Sequence, residues 1–182
     1  MDEIQTGLGR TGKWFACQHL GVEPDIMCLS KAVASGLPMG ATLATEEVMS
    51  TLKMGDHSST FGGGPVACAA ACATLDVLRE ERLPERAAEN GEYLMGRLRG
   101  LQKKHGIVRE ARGMGLMIGL DLRFDILNVI LGTLNRGVLF LDAGRTVVRM
   151  LPPLIIERGQ INSAVSVLDE VLGEEEAARL RG

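Results

Sequence analysis

The chain has 182 residues, 46% hydrophobic and 24% charged, with a formal net charge of −3. That balance, with only 3% aromatic residues, gives no basic or base-stacking footprint for nucleic acid. No apolar run approaches the roughly 18 residues of a membrane span, residues 1–10 lack a signal-peptide layout, and the length suits one domain or one large piece and one small.

Residues 2–23 read as a loop, in which Asp2-Glu3-Ile4-Gln5 leads into Thr6-Gly7-Leu8-Gly9-Arg10-Thr11-Gly12-Lys13, followed by a short helix over 14–20. Acidic residues before a Gly-rich loop ordinarily follow a strand, so the chain reads as beginning in mid-domain. Two nucleotide-binding patterns overlap here, Gly7-x-Gly9-x-x-Gly12 and Gly7-x4-Gly12-Lys13. Both need a preceding strand, and Trp14 stands where a P-loop requires Ser or Thr. The glycines are read instead as a tight surface turn.

Residues 26–29, bounded by Pro24 and Ser30, are wholly apolar and predict a strand buried on both faces. Lys31 follows at its end, ahead of small residues running to Gly36-Leu37-Pro38-Met39-Gly40. A lysine at the end of a buried strand is costly unless it is paired, neutral or covalently used. Such placement makes an amine a nucleophile toward carbonyls. The competing reading is a lysine that snorkels out of a loop.

Residues 41–44 predict a second buried strand, and Thr45 caps a short helix reaching Leu52. Next, Gly55-Asp56-His57-Ser58-Ser59-Thr60-Phe61-Gly62-Gly63-Gly64 precedes an Ala-rich helix over 65–80, with Pro65 at its first position. Backbone N–H groups and neighbouring hydroxyls at such a start can hold a phosphate; a plain capped turn is the alternative. In that helix Cys68 and Cys72 stand at i,i+4 among alanines and are expected to pack in a core. With Cys17 and Cys28 they form no CxxC, and free thiols suit a reducing cytoplasm.

Residues 84–104 predict an amphipathic helix on Ala87, Ala88, Tyr93, Leu94, Leu98 and Leu101, with a domain boundary near residue 105. Beyond it come strands over 107–111 and 116–122 around a turn at 112–115, and a helix over 125–136. Strands over 138–141 and 147–150 follow, then a helix over 160–172, with a charged tail from Glu174 expected to fray. Arg149 closes an apolar strand before Pro152-Pro153, where its planar fork can meet a carboxylate. The alternative is a surface arginine paired with Asp142 or Glu157.

Four stretches in fixed order carry a resemblance: Asp2-Glu3-Ile4-Gln5-Thr6-Gly7-Leu8-Gly9-Arg10-Thr11-Gly12, Ser30-Lys31, Ser58-Ser59-Thr60-Phe61-Gly62-Gly63 and Val148-Arg149-Met150-Leu151-Pro152-Pro153. Together they resemble the class III aminotransferases, pyridoxal-phosphate enzymes of fold type I, and most of all the acetylornithine and LysW-aminoadipate-semialdehyde aminotransferase subgroup. The likeness runs to about residue 172. It implies an α/β fold, with a partial, mostly parallel large domain and interdomain helix over 1–104 and a small α+β domain over 105–182.

The resemblance also implies pyridoxal 5′-phosphate as cofactor, amino acid and 2-oxo acid substrates, no metal, and a cytoplasmic homodimer. The implied reaction moves the amino group of an acetylornithine- or ornithine-like donor to 2-oxoglutarate in arginine or lysine biosynthesis. Lys31 would form the Schiff base with the cofactor and move the proton at the substrate α-carbon. Asp2 would pair with the pyridinium nitrogen, and Gln5 would bond near the ring 3-hydroxyl. Ser59 and Thr60 would hold the phosphate of the neighbouring subunit's cofactor, and Arg149 would take the substrate α-carboxylate. Glu3, Arg10 and His57 would be structural.

Relatives carry a long portion ahead of the Asp-Glu motif that these residues do not include, and Gly64 stands where many have Asn. The chain is therefore expected to be the C-terminal part of such an enzyme, inactive by itself, with a sheet edge and apolar face that favour association. Two alternatives stay open: a non-catalytic truncated or split-gene fragment that needs a complementary half, and an aminomutase or racemase keeping the same lysine and aspartate.

Overall fold

The computed structural model describes residues 1–180. They divide into two compact units between Glu85 and Arg86.

The first unit contains α1 (Cys17–Leu20), β1 (Ile26–Leu29), a 3-10 turn (Lys31–Ala34), β2 (Ala41–Ala44), α2 (Glu46–Met49) and α3 (Pro65–Glu80). β1 and β2 pair antiparallel, Ile26 opposite Ala44 and Leu29 opposite Ala41. On β1 an isolated parallel bridge joins Asp2 to Cys28, made by Glu3 N–H donating to the Cys28 carbonyl and Cys28 N–H donating to the Met1 carbonyl, both at 3.0 Å. The parallel pairing expected of this region is confined to that bridge.

Burial in β1 alternates. Met27 and Leu29 are buried with Cys17, whereas Ile26 is 45% exposed and Leu43 on β2 is 49% exposed. A short antiparallel pair packs one face only, so the expectation of strands buried on both faces fails for both. The loop at 6–13 does make tight turns, with Gly9 at φ 90° and Gly12 at φ 92°, but Leu8 just ahead of them is buried and the loop is not merely surface. The helix after it is short, because Gly21 at φ 63° ends it.

Thr45 caps α2 as its sequence suggested, accepting from the Val48 N–H at 3.4 Å. α3 starts at Pro65 and turns Ala71 and Leu78 inward; Thr74 on it meets Ser35 of the 3-10 turn, hydroxyl to hydroxyl at 2.8 Å. That orientation leaves Cys68 half-buried and Cys72 exposed, which overturns the expectation that both thiols fill a core.

The second unit is built on α4 (Leu83–Lys104), β3 (Val108–Met114), β4 (Met117–Leu122), α5 (Leu127–Leu134), β5 (Leu141–Asp142), β6 (Val147–Met150) and α6 (Arg158–Leu180). Its antiparallel sheet has the order β3-β4-β6-β5. One continuous core joins α4 (Leu94, Leu98, Leu101) to β4 (Ile118, Leu120, Leu122), β6 (Val148, Met150) and α6 (Ile161, Val165, Leu168). α4 also presses on the β3–β4 hairpin: a Cβ on Gly91 would lie 2.1 Å from the Gly115 carbonyl oxygen, so only glycine fits there.

Three expectations are corrected in this unit. The turn expected over 112–115 narrows to Gly115 and Leu116, because β3 runs on to Met114 and β4 begins at Met117. The strand over 138–141 shrinks to Leu141–Asp142. The tail expected to fray from Glu174 is helical as far as Leu180, where α6 ends, and its last two residues lie outside the described residues. Its last turns are held by Glu176, which accepts from His105 at 3.0 Å and from the Gly106 N–H at 2.8 Å, and by the Arg179 guanidinium 3.5 Å above the Phe124 ring. Among the described residues no helix is long and apolar enough to cross a membrane.

Candidate functional site

Lys31 opens the 3-10 turn directly after β1 and holds φ 51°, while Ser35 at the other end of the turn holds φ 48°. A non-glycine residue in this left-handed region costs about 1–2 kcal/mol, and such strain gathers where a side chain must be aimed. Ser30 is extended, with its hydroxyl donating to the Met39 carbonyl at 3.0 Å. The turn lifts Lys31 out of the strand, so its residue is exposed and no buried amine has to be accommodated.

Asp2 sits across the parallel bridge from β1. It is exposed, and its Oδ1 accepts the Ile4 N–H at 2.9 Å, which fixes the carboxylate against its own turn. Gln5 is exposed one turn further on. Glu3, by contrast, is 2% exposed. Its carboxylate accepts the Thr6 hydroxyl, the Ala16 N–H at 3.0 Å and the Cys17 N–H at 2.8 Å, so it satisfies the first amides of α1. Burial pushes its pKa up, but the Thr6 hydroxyl and the Cys17 and Ala16 amides outweigh that and hold it below the usual value. Glu3 thus has the structural part expected of it.

A cleft of about 1010 Å³ in the first unit is lined by Ile4, Ser30, His57, Ser59 and the Gly62–Gly64 backbone, among others. Ser59 Oγ accepts the Gly62 N–H at 2.9 Å, closing the loop ahead of α3. Of the expected site residues the cleft is lined by Ser59, with Ser30 and Ile4 as chain neighbours of Lys31 and Gln5; Lys31, Asp2 and Gln5 do not line it. Thr60 is exposed in the same loop but does not line this cleft.

Arg149 belongs to the second unit. It lies on β6 opposite Gly119 of β4 and Leu141 of β5, beside an apolar cavity of about 320 Å³ lined by Leu94, Phe140, Pro152, Ile161 and Leu168 among others. Its Nε is buried without a hydrogen-bond partner, and among the described residues it forms no ion pair with Asp142 or Glu157. Buried polar groups are nearly always bonded, and an arginine Nε left open beside a cavity can take one oxygen of a planar anion.

A second polar cluster was not legible beforehand. His105, 4% exposed, places Nε2 2.6 Å from Asp169 and Nδ1 3.0 Å from Glu176, while Lys104 reaches Asp169 at 2.7 Å. The only trace in sequence is the seven-residue spacing of the two acids, which puts them two turns apart on one face of α6.

The family model for aminotransferase class-III matches residues 1–172. The acetylornithine aminotransferase of Methanothermobacter thermautotrophicus is 48% identical over 174 residues, covering 96% of this chain and 45% of that protein. Ornithine aminotransferase 1 of Staphylococcus aureus is 47% identical over 171 residues, 93% of this chain and 43% of that protein. Among solved structures, an S-selective transaminase from Arthrobacter sp. superposes with a TM-score of 0.93 at 34% identity, covering 97% of this chain and 44% of that one. The chain spans less than half the length of the curated relatives it matches.

Proposed function

From the premise that this chain belongs to the class III aminotransferases, whose members use pyridoxal 5′-phosphate, we propose that it supplies the lysine-bearing part of a transaminase acting on an acetylornithine- or ornithine-like donor, with 2-oxoglutarate as acceptor. The observation that carries this reading is Lys31, held at φ 51° on the end of β1 with Asp2 bridged to the same strand. The donor set fits the cofactor: an exposed amine, a carboxylate, and hydroxyls beside glycine amides. When bound, the cofactor supplies the electron sink that acidifies the substrate α-carbon.

In this reading the Lys31 amine anchors the cofactor and then moves the proton at that carbon. The Asp2 carboxylate, kept in place by the Ile4 N–H, holds a proton on the ring nitrogen, and Gln5 bonds near the ring oxygen. Ser59 and Thr60 would hold the phosphate of the neighbouring subunit's cofactor in a homodimer. Arg149 takes the substrate α-carboxylate with the fork whose Nε has no internal partner. The large-domain part is assigned to 1–104 and the small domain to 105–182. A cytoplasmic location and a place in arginine or lysine biosynthesis accompany the reading, the first supported by four free thiols.

A second reading is a chain that works only with a complementary polypeptide. It is favoured by the coverage of relatives, 45% and 43%, and by apolar residues left uncovered in the first unit, such as Phe61 at 91% and Val66 at 73%. One spectrum separates the two. The 182-residue chain is mixed with pyridoxal phosphate, with Lys31→Ala as control, and the visible absorbance is recorded before and after adding ornithine. A Lys31-dependent band that ornithine bleaches supports a working half-site. The absence of any band, or an equal band in the variant, supports the second reading.

A further inference from the structure

We propose that Cys68 and Cys72 on α3 form a binding site for a two-coordinate thiophilic cation of the Cu(I) class. Both thiols are free, Cys68 half-buried and Cys72 exposed, one turn apart on a 16-residue helix. On a helix, i and i+4 side chains are neighbours with Cβ atoms about 5–6 Å apart. A disulfide needs a Cβ–Cβ separation of about 3.5–4.5 Å, so the helix resists closing a direct S–S bond. A bridging metal ion adds two metal–sulfur bonds, each about 2.3 Å where the ion is zinc, and a span of that order fits the helical spacing.

The surroundings point to the same chemistry. Cys68 lines the first unit's cleft, and the other sulfur-bearing residues on its wall are Cys28, Met39 and Met49. Thiolate and thioether sulfurs favour soft ions such as Cu(I) over oxygen-seeking ones. Among the described residues no three His, Cys, Asp or Glu side chains gather where they could hold a metal ion. A four-coordinate ion such as zinc is therefore not served, whereas an ion content with two sulfurs is. Binding exchanges two S–H bonds for two S–Cu bonds and releases two protons, with no change of oxidation state. The site makes no use of Lys31 or the cofactor, so it stands or falls independently of the transaminase reading.

The test is an anaerobic titration of the whole chain with Cu(I), kept reduced by ascorbate, against the chromogenic chelator bathocuproine disulfonate. The wild-type chain should withdraw one equivalent of Cu(I). Cys68→Ser and Cys72→Ser should each abolish the withdrawal, while Cys17→Ser and Cys28→Ser should retain it. Far-UV circular dichroism of each variant establishes that α3 is intact, and X-ray absorption of the copper-loaded chain should give two sulfur neighbours. No withdrawal by a folded wild-type chain would overturn the proposal. Withdrawal that persists in the Cys68→Ser/Cys72→Ser double variant would do the same, as would withdrawal that depends on Cys28 but not on Cys72.

Discussion

The two units solve the same problem, covering apolar surface, to very different degrees. Among the described residues, the second unit has one core of seventeen buried residues that links two long helices through an antiparallel sheet. Among the described residues, the first unit buries Cys17, Met27 and Leu29 as one small cluster, with Leu8, Val33, Ala34, Ala71 and Leu78 buried besides, and leaves Ile26, Leu43, Leu52, Met54 and Phe61 exposed. Burial of apolar area is the main favourable term in folding, so the second unit is expected to be the more stable one. Lys31, Asp2, Gln5, Ser59 and Thr60 all stand in the thinly covered unit, and Arg149 stands in the well-covered one. Most of the residues assigned to chemistry thus depend on the part of the chain least able to fix them.

The largest expected effect is separate unfolding. Trp14, the only tryptophan, reports on the first unit and Tyr93, the only tyrosine, on the second. In guanidinium, Trp14 fluorescence should change at lower denaturant than the far-UV signal of α4 and α6. Amides of β4 should exchange orders of magnitude more slowly than those of β2. Coincident transitions would erase the contrast between the units.

Next in size, Leu168→Ala removes a side chain with 0% exposure from the centre of the second core and should cost about 2–5 kcal/mol. It should lower the second transition and leave the Trp14 transition in place. A loss confined to the first transition would show that stability is distributed the other way.

Acid should sharpen the difference. Burial raises the pKa of Asp169, but its bonds to Lys104 and His105 outweigh this and hold it below the usual value; Glu176 is lowered first by its bond to His105. A carboxylate with a depressed folded-state pKa adds stability that is present above its ordinary range and lost as pH falls through the folded value. The second transition should therefore weaken below about pH 4, and His105→Gln should flatten that dependence. An unchanged slope in the variant would remove His105 from the account.

The smallest effect tests the first unit alone. Thr45→Ala deletes the cap on α2 and should cost about 1 kcal/mol, read as an earlier Trp14 transition with the second unmoved. A shift of the second transition instead would mean that the units do not unfold apart.

Much of this molecule was legible in the order of its residues. β1, β2, α3 and β6 fall where apolar runs, Pro65 and the turn residues put them, because those signals are local. The motif residues were legible too, since Asp2, Lys31, Ser59 and Arg149 recur in an order that survives without any structure. Burial was not. Ile26 to Leu29 looks two-sided in sequence, yet its burial alternates, because covering depends on which partners arrive. Likewise Cys68 and Cys72 look like core by composition, and only the rotation of α3 about Ala71 and Leu78 puts one of them in solvent.

By itself, then, the sequence determined the family and most of the element order, and it proposed which groups react, since these are carried by short-range patterns and a fixed order of motifs. The tertiary structure decided four further things. It raised Lys31 on a left-handed turn and left Arg149 Nε without a partner. It carried α6 on to Leu180 through His105 and Phe124, and it set Gly91 against Gly115. Each joins groups that are distant in sequence or depends on backbone geometry, and no local pattern encodes a contact whose other half lies tens of residues away.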